Sequence, residues 1–179
     1  MKTLIVYTSQ TGFTKRYADW LAEELKADAM TLEEAKKQDT QYFDTADVII
    51  YGGWAMGGKI VNCEWFTQRI PDWKEKKLVL FCVGASPNEN PEVDVALHNA
   101  LTDEERKYAK AFYCQGGISY EKMKLTMKLA MKAFASMVRK KKDATEQEKI
   151  MGEMLSKSYD IADKMYINPI VDYVRGENE

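Results

Sequence analysis

The chain is poor in the residues on which most site chemistry is built. It has one histidine, His98, and three cysteines, Cys63, Cys82 and Cys114, in 179 residues. Their wide spacing makes no zinc pattern and no disulfide framework, so a reducing cytoplasm is the expected home. No Ser-His-Asp arrangement or paired-carboxylate motif stands out, and no side chain is assigned a catalytic role. No apolar run approaches the ~20 residues that a bilayer-spanning helix needs. The first run, Leu4–Tyr7, is too short for a signal-peptide core and reads as a strand. A net charge of −2 says nothing for nucleic acid, and no aromatic interleaving or reading motif accompanies the basic residues.

What is present begins where that first strand ends. Leu4-Ile5-Val6-Tyr7 runs straight into Thr8-Ser9-Gln10-Thr11-Gly12-Phe13-Thr14, and a helical pattern follows. A buried strand emptying into a hydroxyl-rich turn that opens a helix is suited to hold a phosphate. Backbone N–H groups and the positive end of the helix dipole converge there, and Ser and Thr hydroxyls add donors. The stretch has neither the lysine of a P-loop nor the three-glycine spacing of a dinucleotide fingerprint. A single phosphomonoester, held without a dedicated cation, fits better than a triphosphate or a pyrophosphate. The plainer alternative is a strand-to-helix turn in which Ser9 or Thr11 merely caps the helix.

Further along, strands and helices alternate. Residues 2–7 read as a strand and 12–26 as a helix with Phe13, Tyr17, Trp20, Leu21 and Leu25 on its apolar face. Strands are expected near 29–32, at 48–51 (ended by Gly52-Gly53), at 78–83 and at 110–115. Helices are expected at 62–70, stopping before Pro71, and at 92–101. Hydrophobic strands alternating with helices imply an α/β fold with a parallel sheet covered on both faces. Such a sheet binds ligands at the carboxyl ends of its strands, where three turns rich in Gly, Ser, Thr or Asn would gather.

The segment Ser9-x-Thr11-Gly12-x-Thr14 after an N-terminal strand resembles the phosphate loop of flavodoxins. The resemblance implies flavin mononucleotide (FMN) as cofactor, with hydroxyls from Ser9, Thr11 and Thr14 and backbone N–H groups from Gln10, Gly12 and Phe13. It also implies a flavodoxin-like three-layer sandwich with a five-stranded parallel sheet of order 2-1-3-4-5. By the same resemblance, Trp54, Ala55, Met56 and Gly57 belong to a loop along one face of the flavin ring. Trp54 would stack on or shield the ring there, and Gly57-Gly58 would leave a peptide free to turn. The alternative for Trp54 is packing on the sheet edge. Gly84, Ala85 and Ser86 would form a second loop against the ring, and that loop carries no Tyr to make a second stacking aromatic.

A basic stretch then separates this chain from a bare flavodoxin pattern. Over 119–142 there are eight Lys or Arg against Glu121 alone, a local charge of +7 that leaves −9 for the rest. Met123, Met127, Ala130, Met131, Phe134, Met137 and Val138 share one helical face, and lysines cover the other. Such a helix can lie on an anionic membrane through 122–142, present a Met-rich face to a partner, or simply pack on the sheet. A second helical stretch with a turn or break is expected over 145–166. Residues 1–175 thus read as a single domain, with 119–147 as a basic helical insertion after strand five and 176–179 as a disordered tail.

The whole chain is similar to the flavodoxin-like branch that includes quinone-dependent protoporphyrinogen dehydrogenases, through the N-terminal loop, the glycine-containing loop after strand three and the Lys/Met-rich insertion. That resemblance implies an FMN redox protein that passes electrons between a partner protein and an acceptor. Oxidation of protoporphyrinogen with a quinone, at the inner face of the membrane, is the alternative. A third reading, a binding module with an empty flavin site, is opposed by the intact hydroxyls at Ser9, Thr11 and Thr14.

Overall fold

The computed structural model describes residues 1–141 and 144–177. In chain order the elements are β1 (Thr3–Tyr7), α1 (Phe13–Leu25), β2 (Asp28–Thr31), α2 (Leu32–Ala35), α3 (Thr40–Asp44), β3 (Val48–Met56) and β4 (Lys59–Ile60). Next come α4 (Glu64–Thr67), β5 (Lys77–Gly84), α5 (Pro91–Asn99), β6 (Ala109–Gln115) and β7 (Gly117–Ile118). The chain closes with α6 (Leu125–Lys140), α7 (Glu146–Leu155), β8 (Tyr159–Asp160) and α8 (Asn168–Arg175).

The main sheet has the order β2-β1-β3-β5-β6, with every neighbouring pair parallel. This is the expected 2-1-3-4-5 order once the short hairpin arm β4 is set aside. Strand β1 is buried throughout, and so is β5 apart from Lys77, which is why both read as unbroken apolar runs. Alternate residues serve opposite layers. Leu4, Val6, Ile49, Tyr51, Leu78 and Leu80 pack with Phe43, Trp65, Phe66 and Trp73 on one side. Ile5, Ile50, Val79 and Phe81 pack with Tyr17 and Leu21 of α1 and Ile170 and Val174 of α8 on the other.

Several local expectations are revised. Strand β3 does not stop at Gly52-Gly53. It continues to Met56 and folds back on β4, pairing Ala55 with Ile60 and Met56 with Lys59. Gly57 and Gly58 make that turn at φ of +58° and +76°, the left-handed region that two-residue hairpin turns require. The helix expected at 62–70 shrinks to α4, followed by a 3-10 turn at Ile70–Trp73 that takes Pro71 into its first turn. Helices α2 and α3 are too short to give a sequence period. Residues 119–124 precede α6 instead of belonging to it, and the expected helical stretch 145–166 ends at Leu155. Beyond it, β8 pairs antiparallel with β7, so α6 and α7 leave and rejoin the domain through one small ribbon. Gly176 and Glu177, expected in a frayed tail, close α8 instead: their N–H groups bond to Tyr173 and Asp172 carbonyls, with Gly176 left-handed at φ +75°. The rest of that tail, and Lys142 and Asp143 of the basic stretch, lie outside the described residues.

Tyr17 locks α1 to the far side of the sheet. Its hydroxyl donates to the Gln115 carbonyl at 2.5 Å and accepts the Asp163 N–H at 3.2 Å. Burial pushes its pKa well above that of an ordinary tyrosine, so it stays protonated. Tyr17→Phe removes both partners and is expected to cost about 1–3 kcal/mol. Urea denaturation checks this: the midpoint falls while the m-value is unchanged.

Candidate functional site

Parallel register sets the end of β1 beside the middle of β3, and the end of β5 beside that of β6. Tyr7 lies beside Gly52, Gly52 beside Phe81, and Gly84 beside Gln115. The turns after β1 and β5 and the hairpin arm of β3 therefore emerge at a common edge. Three hydrogen bonds then fix the turn after β1 to β3 and its hairpin arm. The Thr8 N–H donates to the Gly52 carbonyl at 2.9 Å. The Tyr51 hydroxyl donates to the Val61 carbonyl at 2.9 Å, and its remaining lone pairs take the Thr8 hydroxyl at 2.9 Å. Burial raises the Tyr51 pKa, which keeps that donor in place.

At the head of α1, Gly12 takes the N-cap position at φ +98°, and no side chain caps the helix. The first N–H groups of a helix have no acceptor within it, so those of Phe13, Thr14 and Lys15 depend on an outside partner. An anion there meets aligned N–H groups and the positive end of a 13-residue helix. Ser9 plays a part closer to the plainer alternative: its hydroxyl oxygen accepts the Gly12 N–H at 3.2 Å. That bond shapes the turn, occupies the N–H expected to meet a phosphate, and leaves the Ser9 proton free to donate.

The third loop is held from beneath. Tyr113 of β6 donates to the Ser86 carbonyl at 2.8 Å, and Tyr159 of β8 donates to the Ala85 carbonyl at 2.6 Å. Burial pushes the Tyr159 pKa up to about 12. Tyrosines absent from the loop itself are thus its supports. Only the fold brings them there, from strands 27 and 74 positions along the chain.

Between the loops lies a cavity of about 330 Å³. Gln10, Thr11, Phe13 and Thr14 line it from the first loop. Trp54, Ala55, Met56 and Gly57 line it from the hairpin, and Gly84 and Ala85 from the third loop. Ser9, Gly12 and Ser86 are not among the lining residues. Val83, Gly117 and Ile118 add to the floor, and Met123, Met127, Ala130, Met131 and Phe134 close it from above. This apolar stripe is legible as a helical face, but nothing in its spacing says whether it covers the sheet or a cavity. In the fold it covers the cavity: Ala135 is the one residue of α6 that is buried, and Phe134 is 48% exposed.

The profile of the family described as Flavodoxin domain matches residues 4–147. The chain belongs to the flavodoxin domain family. Among solved structures, it is similar to two-electron reduced Megasphaera elsdenii flavodoxin at 23% identity and TM-score 0.46, covering 62% of this chain and 82% of that one. A WrbA-like flavodoxin from Agrobacterium tumefaciens shares 22% identity at TM-score 0.42, over 63% of this chain and 82% of that one. A Lactobacillus acidophilus flavoprotein in complex with FMN shares 16% at TM-score 0.46, over 64% and 91%. No curated protein matches the chain.

For this flavodoxin domain the character of the cavity wall is decisive. None of its lining side chains is acidic, basic, a histidine, a cysteine or a tyrosine. Such a wall can bind, orient and exclude water, and it brings no ionisable side chain to the cavity. A flat apolar ring carrying an anionic tail fits this donor set: amides at one end, Trp54 and methionines along the body. Gly12→Ala puts a Cβ at φ +98° and is expected to cost about 1–2 kcal/mol in stability. It should also weaken an anion bound at the helix N-terminus about tenfold by disturbing the turn that aims the amides. Urea denaturation and a fluorescence titration of the apoprotein with FMN check the two effects separately.

Proposed function

We propose that the protein binds FMN non-covalently in this cavity and passes electrons through it between a redox partner protein and an acceptor. The observation that carries the reading is the combination of an uncapped helix N-terminus with an apolar, non-titrating cavity beside it. The N–H groups of Phe13 and Thr14, with the Thr11 and Thr14 hydroxyls, hold the phosphate. Trp54 and Met56 bear on one side of the ring, and Ala85 of the third loop meets its edge. Met127, Met131 and Phe134 keep water from the other side and so disfavour added negative charge on the ring. Bound FMN supplies one- and two-electron transfer, which this wall of side chains cannot.

The direct test is titration of the apoprotein with FMN, followed by anaerobic reduction with a flavodoxin reductase. The expected result is one yellow, quenched flavin per chain that the reductase bleaches. A colourless protein that ignores FMN would overturn the reading. Trp54→Ala should leave stoichiometry intact but recover part of the flavin fluorescence, since a stacked indole is an efficient quencher.

One feature favours a second reading, quinone-linked porphyrinogen oxidation at the inner face of the membrane. Leu125 and Leu129 are 71% and 60% exposed, among the lysines on the outer face of α6. Exposed leucines within a basic field suit peripheral contact with anionic lipid through 122–142. No helix among the described residues is long and apolar enough to cross a membrane. Bleaching of the loaded protein by protoporphyrinogen, with recolouring by a quinone, would decide for this reading. Failure of protoporphyrinogen to bleach it, while the reductase does, decides for the electron carrier.

A further inference from the structure

We infer that Lys122, just ahead of α6, is the counter-ion of the phosphate held by the 9–14 loop, so that the insertion completes the cofactor site at its anionic end. The inference rests on the FMN reading above. Its starting point is a juxtaposition across more than a hundred residues. The Lys122 ammonium stands 3.9 Å from where a Cβ on Gly12 would be, and among the described residues nothing else comes within 4 Å of that point. With no side chain at Gly12, a cation stands directly beside the N-cap of α1.

The acids around Lys122 are already engaged. Glu121 accepts hydrogen bonds from the hydroxyls of Ser158, at 2.8 and 3.0 Å, and Ser119, at 3.3 Å. Asp160 takes both arms of the Arg16 guanidinium, at 2.7 and 3.2 Å, and the Ala162 N–H at 3.0 Å. Burial opposes charge on Asp160, but those partners, with Lys122 acting at longer range, hold its pKa below the ordinary range. Lys15, in the first turn of α1, is paired with Asp19 at 2.7 Å. Among the described residues, Lys122 forms no ion pair, while the other cations beside the loop are committed to carboxylates. An exposed lysine next to an uncapped helix N-terminus has an evident partner in a phosphate dianion.

The charges add up in the same direction. A helix N-terminus offers roughly half a positive charge, whereas a phosphomonoester carries about −1.5 to −2 near neutral pH. A full cation at the same place brings the site closer to balance and makes retention of the phosphate sensitive to salt. Riboflavin, which has the ring and no phosphate, gains nothing from Lys122.

The test compares FMN with riboflavin in fluorescence titrations of the apoprotein and its Lys122→Ala, Lys122→Arg and Lys124→Ala variants. Lys122→Ala is expected to weaken FMN about fivefold, the scale of one partly exposed charge-assisted contact, and to leave riboflavin unchanged. Lys122→Arg should keep most of the preference for FMN, and Lys124→Ala should behave like wild type. Raising salt should weaken FMN more in wild type than in Lys122→Ala. Equal losses for FMN and riboflavin, no loss for either, or an equal effect from Lys124→Ala would each overturn the inference while the FMN reading stands. Wild-type protein that binds neither flavin, or binds both equally, would bring down the phosphate placement and Lys122 with it. Because Lys122 is exposed, the variants keep the fold, which circular dichroism checks.

Discussion

Everything at the site depends on the register of the parallel strands. With Tyr7, Gly52 and Phe81 side by side, the chain emerging from β1 meets the chain continuing along β3 without any gap to bridge. The Tyr51 hydroxyl then ties the two segments through Thr8 and Val61. In a dry interior such a bond is costly to lose, because any partner left behind has no water to turn to. The geometry of the 9–14 loop is therefore set by the sheet more than by the loop's own residues. That is why a short, hydroxyl-rich turn can hold its amides ready without a side-chain cap.

The sheet was legible because its central strands are buried on both faces and carry almost nothing but apolar side chains. The loop Ser9–Thr14 was legible because its residue types answer to one task. Trp54 and the Gly84–Ala85 turn were read from the resemblance to flavodoxins, and the topology sends both to the same edge. The exceptions have local causes. Gly52-Gly53 punctuate a strand in sequence yet continue it in space, because Phe81 fills the room over Gly52, and Ile60 and Val61 fill that over Gly53. Residues 156–166 keep apolar residues at helical intervals, but the antiparallel pairing of β8 with β7 outweighs a weak helical preference. Tyr113, Tyr159 and Lys122 could not be found from their neighbours in sequence at all. Each acts on a loop far away along the chain.

The insertion changes what a flavodoxin scaffold can do with its cavity. Its Met and Phe side chains are long, flexible and only partly buried, so they adapt to the shape of a ring more readily than a fixed aromatic would. The small cluster beneath it, Ile118, Tyr120, Ala135 and Leu155, gives α6 and α7 a core of their own. Tyr120 reinforces that core by donating to the Leu155 carbonyl at 2.6 Å. The roof thus rests on its own foundation and touches the main sheet chiefly through the edge where the loops emerge.

The two-residue ribbon of β7 and β8 joins this unit to the rest of the domain. Gly117 faces Asp160 and Ile118 faces Tyr159, so the excursion begins and ends at nearly the same point. Its closure cost is met once, at the ribbon, and grows only slowly with the length of chain beyond it. A unit joined in this way can open as a separate cooperative block while the five parallel strands stay protected. For a cavity roofed by that block, cover and floor are stabilised separately, and a change that loosens α6 and α7 can leave the sheet beneath them intact.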